Sequence, residues 1–360
     1  MRPLVFLTVP VAVVACINSG SLPQPISNGQ ADDPDQPGSG GTSTGAAPPI
    51  DAGSKVVALP GGAGGVGFDD LRFSGNLASL LVPGGRTGNL DFIDPSLELV
   101  SSVGGFSSAA TYTKDTSFGV TSADEGNDVV YATDRTTKTL SVIDGKTRKV
   151  VGSPVALADV PGYVRYVAAT NEVWVTEPAS KQIEVFSLGT SGPTHAQSIA
   201  VAGAESLEID ATRGMAFTND TSSTLALDVS KHAVSGTWPN GCKTSRGLAV
   251  DRAGGFVLTA CEEGLVVVLA ETSGAVLGKA AFGSGLDRLA YDSLRQRLYV
   301  PSPAASALGV VSIDSTTGAP ALLGSVEATS DAHCAVTPGG GQVFVCVPSL
   351  GQLVYLYDPF

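Results

Sequence analysis

From about residue 55 to the C-terminus, apolar runs of four to six residues alternate with breaks rich in Gly, Asp and Ser. None sustains the i, i+3, i+4 recurrence of a helix face, and runs of this length between turn residues predict short β-strands. Between residues 244 and 283 the pattern is plainest, with four runs at Gly247–Val250, Phe256–Thr259, Gly264–Leu269 and Val276–Lys279. The second run of each such set carries a phrase close to Tyr-Val-Thr-Asn. It reads Tyr131-Ala132-Thr133-Asp134, Trp174-Val175-Thr176-Glu177 and Phe217-Thr218-Asn219, then more loosely Val257-Leu258-Thr259, Tyr299-Val300-Pro301 and Phe344-Val345-Cys346. Successive starts lie 43, 43, 40, 42 and 45 residues apart, a fixed period of the kind that marks an array of identical units. Most copies are trailed by an apolar run ending in Asp, as at Val142-Ile143-Asp144 and Ser312-Ile313-Asp314.

A unit of four strands in about 43 residues has the dimensions of a propeller blade, and a lone blade leaves both faces uncovered. The repeats place blades near residues 67–105, 106–158, 159–202, 203–243, 244–283 and 284–330, with a seventh from 331 to 360 that runs out after three strands. Lys55-Val56-Val57-Ala58-Leu59 resembles the fourth runs Lys149-Val150-Val151 and Ser198-Ile199-Ala200-Val201, and it stands just ahead of blade one. It is expected to supply the missing strand, closing the ring and removing its exposed edge. The predicted fold is all-β: a seven-bladed β-propeller of four-stranded antiparallel blades over residues 55–360, closed by an N-terminal strand that completes the last blade.

Composition agrees with many turns and few solvated helices: 44 Gly and 22 Pro among 360 residues, with 15% charged. A formal net charge of −13 repels phosphate backbones and argues against nucleic acid as a partner. Residues 1–16 read as an export signal. Met1-Arg2 is a minimal basic start, Pro3 to Ala15 is mostly apolar but too short to span a bilayer, and Val13-Val14-Ala15-Cys16 resembles a lipobox whose cysteine is freed and lipidated. Ile17 stands where an Asp would resemble an inner-membrane retention signal, so the expected location is the outer membrane of a bacterial envelope, through the lipid anchor alone. Residues 17–54 are dominated by Gly, Ser, Pro, Asp and Thr. They bury too little surface to offset ordering and are expected to form a flexible tether reaching roughly 35 Å.

Setting Cys16 aside leaves Cys242, Cys261, Cys334 and Cys346, an even number in an exported chain, which reads as two disulfides. Cys334 and Cys346 flank Pro338-Gly339-Gly340-Gly341, and Cys242 and Cys261 flank Asp251-Arg252-Ala253-Gly254-Gly255. A hairpin turning at each segment sets its pair face to face. Each bridge is expected to stabilise by about 3 kcal/mol through loop closure.

The repeats resemble YVTN-type β-propellers, within the wider group that includes surface-layer and YncE-like proteins. The likeness covers roughly Ser54 to Phe360 and rests on Val130-Tyr131-Ala132-Thr133-Asp134, Glu172-Val173-Trp174-Val175-Thr176-Glu177-Pro178 and Arg297-Leu298-Tyr299-Val300-Pro301. Blade one departs from it, since Leu81-Val82-Pro83 keeps only the apolar part and Gly105 to Ser117 stretch the gap to blade two. The resemblance implies the fold and leaves function open, because such propellers serve many roles.

No catalytic set stands out. Gly62-x-Gly64-x-x-Gly67 has the spacing of a dinucleotide fingerprint, but Phe68-Asp69-Asp70-Leu71-Arg72-Phe73-Ser74-Gly75 follows without helical periodicity and sets two acids where a phosphate must lie. It is expected to be a blade connection. His195, His232 and His333 fall in different blades without metal-ligand spacing. Asp124-Glu125-Gly126-Asn127-Asp128 is expected to be a hairpin turn. No cofactor or metal is called for.

Blade geometry supplies the candidate site. First strands line a propeller's channel, and aligning their starts superposes Asp70, Arg165, Ser206, Gly247, Arg288 and His333, preceded by Asp69, Val164, Glu205, Arg246, Asp287 and Ala332. Three arginines, several acids and a histidine therefore gather at one mouth. They either grip a carboxylate or sugar, with Arg supplying forked donors, or pair with one another to seal the channel. The expected role is a non-enzymatic, monomeric envelope platform that binds a protein, glycan or small molecule at the channel mouth through Asp70, Arg165, Glu205, Arg246, Asp287, Arg288 and His333. The alternative, implied by likeness to some related propellers, is a lactonase-like hydrolase with a divalent cation held by Glu205, Asp70 and Asp287.

Overall fold

The described residues form seven separate four-stranded antiparallel sheets. The computed structural model describes residues 55–114 and 118–360; the segments expected to be an export signal ending at Cys16 and a tether lie outside the described residues. Blades one to six occupy residues 72–108, 120–156, 164–200, 208–239, 245–281 and 290–327. Blade seven is built from Ala335–Gly339, Gln342–Val347 and Gln352–Tyr357, with Lys55–Ala58 as its outer strand. The register of that closure is Lys55↔Tyr355, Val56↔Val354, Val57↔Leu353 and Ala58↔Gln352, so the first and last segments of the ring share one sheet. The strands of blade five fall within two residues of the four runs expected there. One boundary moves: the outer strand of blade one is Val100–Ser108, so Gly105 to Ser108 belong to that blade rather than to the gap after it.

The recurring phrase forms the second strand of each blade, and these are the most deeply buried strands. Every residue of Glu172–Glu177, of Phe256–Cys261 and of Ser79–Pro83 is buried. The reason is the double cover that the ring provides. Trp174 of blade three is fully buried among Ile183 and Ile199 of its own blade, Leu207 just ahead of blade four, and Ala216 and Leu225 of blade four. Burying a large apolar side chain completely contributes about 1.5–3 kcal/mol. Its threonines meet polar needs in the same layer, as Thr176 Oγ1 accepts the Tyr163 N–H at 2.7 Å. The trailing aspartates close turns: Asp144 Oδ1 accepts from Lys146 N at 3.0 Å and Thr147 N at 2.7 Å, and Asp314 repeats the pattern at Thr316 and Thr317.

Both expected disulfides are present, Cys242–Cys261 and Cys334–Cys346. They suit an oxidising compartment. The glycine-rich segment is indeed a connection, with the opposite polarity to a phosphate cradle. Its carbonyls face a cation: Arg86 donates to Gly65 O at 2.6 Å and to Ala63 O at 2.7 Å. Gly65 has φ +112° and the Tyr112 ring stands where a Cβ would project, so a side chain there meets both backbone strain and a clash. Asn127 and Asp128 turn the acidic hairpin with φ of 57° and 64°.

Three buried acids set a pH dependence. Burial pushes the Asp91 carboxyl up to about 6. Burial also lifts Glu184 to about 7, with Glu177 adding to it, and lifts Glu271 to about 7, with Asp210 adding to it. For each, the folded protein takes up a proton that the unfolded chain has already lost. The unfolded chain therefore binds fewer protons over this range, and stability rises as pH falls from about 7 towards about 5. The melting temperature is expected to be a few degrees higher at about pH 5.5 than at about pH 8, each kcal/mol moving it by about 2–4 °C. Melting curves that are level or rise with pH over that window contradict this assignment.

Candidate functional site

The seven inner strands touch one another in cyclic order, blade one meeting both blade two and blade seven. They run from a leading mouth, where the strands begin, to a trailing mouth, where they end. The aligned positions do converge at the leading half. Arg165 makes a forked pair with Asp70, Nη1 to Oδ2 at 2.6 Å and Nη2 to Oδ1 at 3.0 Å. Ser122 Oγ donates to the same Asp70 Oδ2 at 2.5 Å. Arg165 Nη2 also lies 3.3 Å from Glu208 Oε1, which Arg72 Nη1 reaches at 2.6 Å, while Arg72 Nε stands 3.4 Å from Asp124 Oδ1.

A second cluster forms around Asp69. Arg135 Nη2 lies 2.8 Å from Asp69 Oδ2, Arg288 Nε donates to Asp69 Oδ1 at 3.0 Å, and Arg288 Nη1 donates to Asp287 Oδ1 at 2.5 Å. The Tyr163 ring lies against two guanidinium groups, 4.8 Å from Arg288 and 5.3 Å from Arg165. His333 bridges blades seven and one, its ring nitrogens 3.0 Å from the carbonyl oxygens of Asp331 and Phe68. Arg246 sits further out and half-buried, with Nη2 2.6 Å from Glu262 and Nη1 3.7 Å from Glu205.

The electrostatics follow from this pairing. Burial pushes Asp69 up, but Arg288 and Arg135 outweigh it and hold the carboxyl below its usual range. Burial likewise opposes the charge on Glu208, and Arg72 and Arg165 overcome it. Asp124 goes the other way, since burial there outweighs Arg72. Burial works against the charge of Arg165 and Arg288, yet their carboxylate neighbours raise both above the ordinary value. The sequence-selected charges thus meet mostly as partners of one another. The three acids named for a cation, Asp70, Asp287 and Glu205, each face an arginine. Among the described residues one trio of potential metal donors is close together, His333 with Cys334 and Cys346, and its two sulfurs are bonded to each other.

Open space lies towards the trailing mouth. One cavity of about 210 Å³ is lined by Leu71, Arg72, Leu248, Arg252, Tyr291 and Thr337, among others. The next, about 310 Å³, shares Arg72, Phe73 and Arg252 and adds Asn76, Asp124, Glu125, Arg165 and Tyr166. Arg252 is exposed, and its Nε and Nη2 both donate to Ile209 O, at 3.1 and 2.7 Å. No carboxylate among the described residues forms an ion pair with it.

Sequence alignment missed Ser122, Tyr163, Arg72, Glu208 and Arg252. Two of these were within reach: Arg72 stands two residues after Asp70 and Glu208 two after Ser206, and alternate residues of a strand share a face. Ser122 escaped because blade two lacks the Gly-Leu-Ala-Val-Asp phrase and its inner strand shifts register between Val120 and Ser122.

Comparison with known proteins places the chain among seven-bladed β-propellers by fold. It superposes on U3-55K with a TM-score of 0.70 at 8% identity, covering 86% of this chain and 99% of that one. Hydrazine synthase of Kuenenia stuttgartiensis gives 0.67 at 11% identity, covering 82% and 96%. A chain of the mitotic checkpoint complex gives 0.67 at 13%, covering 95% and 100%. No protein-family model matches the chain, and no curated protein does.

Proposed function

We propose that the protein is a lipid-anchored envelope lipoprotein of the YVTN propeller type, and that its propeller is a non-enzymatic platform for a small acidic saccharide bound at the trailing mouth. The lipobox at Cys16, the tether and the recurring phrases support the first part. One observation carries the second: Arg252 stands at an open cavity with its guanidinium held only by a backbone carbonyl. Its Nε and Nη2 donate to that one carbonyl, and the opposite Nη1–Nη2 edge of an exposed guanidinium suits a carboxylate. Around it Asn76, Asp124 and Glu125 offer donors and acceptors for hydroxyl groups, and Phe73 and Tyr166 offer ring surface. Arg72 and Arg165 in that wall are paired with Asp70, Asp124 and Glu208, which leaves Arg252 as the wall's cation without an ion pair among the described residues. Arg165, selected from the sequence, reaches this wall as well as the leading half.

The test is calorimetric titration with glucuronate, galacturonate and neutral glucose. The uronates are expected to bind, glucose to bind more weakly, and Arg252→Ala to weaken uronate binding by at least about tenfold, the loss of one charged hydrogen-bonded contact. Equal binding of uronate by wild type and Arg252→Ala, or none by either, removes the proposal.

A further inference from the structure

Between the sealed leading half and the open trailing half, the channel narrows to a recess of about 40 Å³. Two side chains in its wall are almost wholly buried, Tyr163 at 3% and Arg165 at 2% exposure. Each presents a donor that nothing among the described residues satisfies, Tyr163 Oη and Arg165 Nε. Buried donors are met by some acceptor in nearly all proteins, so the pair points to an occupant that accepts hydrogen bonds.

The charged groups around the recess are engaged with one another and leave these two donors over. Arg72, Arg165 and Arg288 line the recess against Asp70 and Glu208. Asp69 and Asp287 engage Arg288, and Asp124 engages Arg72, from beside the recess. Asp70 already accepts from Arg165 through both oxygens and from Ser122, and Glu208 Oε1 accepts from two guanidinium groups.

We propose that this waist is a binding site for one small monovalent anion, held by Tyr163 Oη and Arg165 Nε. A cation is excluded by the two donors. A water molecule can accept from both, but Arg165 Nε is a cationic donor, and hydrogen bonds to an ionised partner are about twice as strong as neutral ones, which favours an anion. At about 10–15 Å³ per water, the recess admits a halide ion or a carboxylate end with little besides. Nothing the size of a sugar ring fits, so the site is separate from the saccharide mouth and stands whether or not that mouth binds uronates. The anion reaches it from the trailing side, where the larger cavity shares Arg72, Glu208 and Leu248 with the recess.

Bromide is the probe for a free halide and formate for a carboxylate end. Wild-type crystals soaked in sodium bromide are expected to show an anomalous peak within hydrogen-bond distance of Tyr163 Oη and Arg165 Nε. In solution, the melting temperature is expected to rise saturably with bromide at constant ionic strength, the balance made up with the HEPES anion, which has no carboxylate end and is too large to enter. Formate that reproduces the rise and competes with bromide assigns the site to carboxylate ends. Formate without effect assigns it to halide. In Tyr163→Phe the half-saturating bromide concentration is expected to rise roughly tenfold, while the melt in HEPES alone stays level or improves because an unmet hydroxyl is gone. Water alone in the recess of soaked crystals, no saturable dependence on either ion, or unchanged bromide affinity in Tyr163→Phe overturns the proposal.

Discussion

Replacing Arg165 with methionine is expected to destabilise the protein by about 3–5 kcal/mol, because it removes the cation from a buried pair and strands the carboxylates around it. Arg165 is 2% exposed, and it holds Asp70 through two hydrogen bonds and Glu208 through a third. Glu208 keeps Arg72 as a partner, whereas Asp70 keeps only Ser122 Oγ. Most of the cost therefore falls on Asp70. The melting temperature is expected to drop by on the order of 10 °C. Adding Asp70→Asn to Arg165→Met is expected to recover a large part of that loss, since the stranded charge goes with it. A single variant that melts within a degree or two of wild type, or a double variant worse than the single, shows that this network does not hold the channel together.

The second large effect concerns ring closure. A chain that starts at Pro60 is expected to melt at least about 10 °C below one that starts at Ser54, and to associate in size-exclusion chromatography. Val57 and Leu59 are 3% and 5% exposed, packed with Phe68, Val336, Phe344 and Leu353. Burial of two such side chains contributes about 1.5–3 kcal/mol each, before the lost ladder with Gln352–Tyr357 is counted. Removing the strand also uncovers the edge of Gln352–Tyr357, a template for pairing with another chain. Equal melting temperatures and monomeric elution for both chains contradict a closure that depends on Lys55–Ala58.

The fold was legible because its information repeats. Six copies of one phrase set the period, and the period left blade seven one strand short, which pointed to Lys55–Leu59. The cysteines added constraints of their own by flanking two turns. The site was legible only in part, for a physical reason. Which charges share a mouth follows from blade alignment, and Asp70, Arg165 and Arg288 do converge. Which charges pair depends on side-chain reach across the ring, between residues 95 positions apart for Asp70 and Arg165 and 219 apart for Asp69 and Arg288. No local pattern encodes that. Aligning strand starts also directs attention to the leading mouth, whereas the open volume lies at the strand ends. Arg252 falls inside the turn Asp251-Arg252-Ala253-Gly254-Gly255, where a charged residue looks like ordinary loop surface.

The channel is closed by ion pairs at its leading half and accessible from its trailing mouth. Thiol labelling of two single-cysteine additions, in a chain carrying Cys16→Ser with both disulfides intact, reports on both ends. Thr337→Cys places the thiol on the wall of the trailing cavity, and Ser206→Cys places it at a 2% exposed position on the wall of the narrow recess, which is too small for the reagent. A small thiosulfonate reagent is expected to modify Thr337→Cys at close to the rate of an exposed thiol and to leave Ser206→Cys unmodified until the protein unfolds. Rapid modification of Ser206→Cys in the folded protein, or protection of Thr337→Cys, contradicts this arrangement.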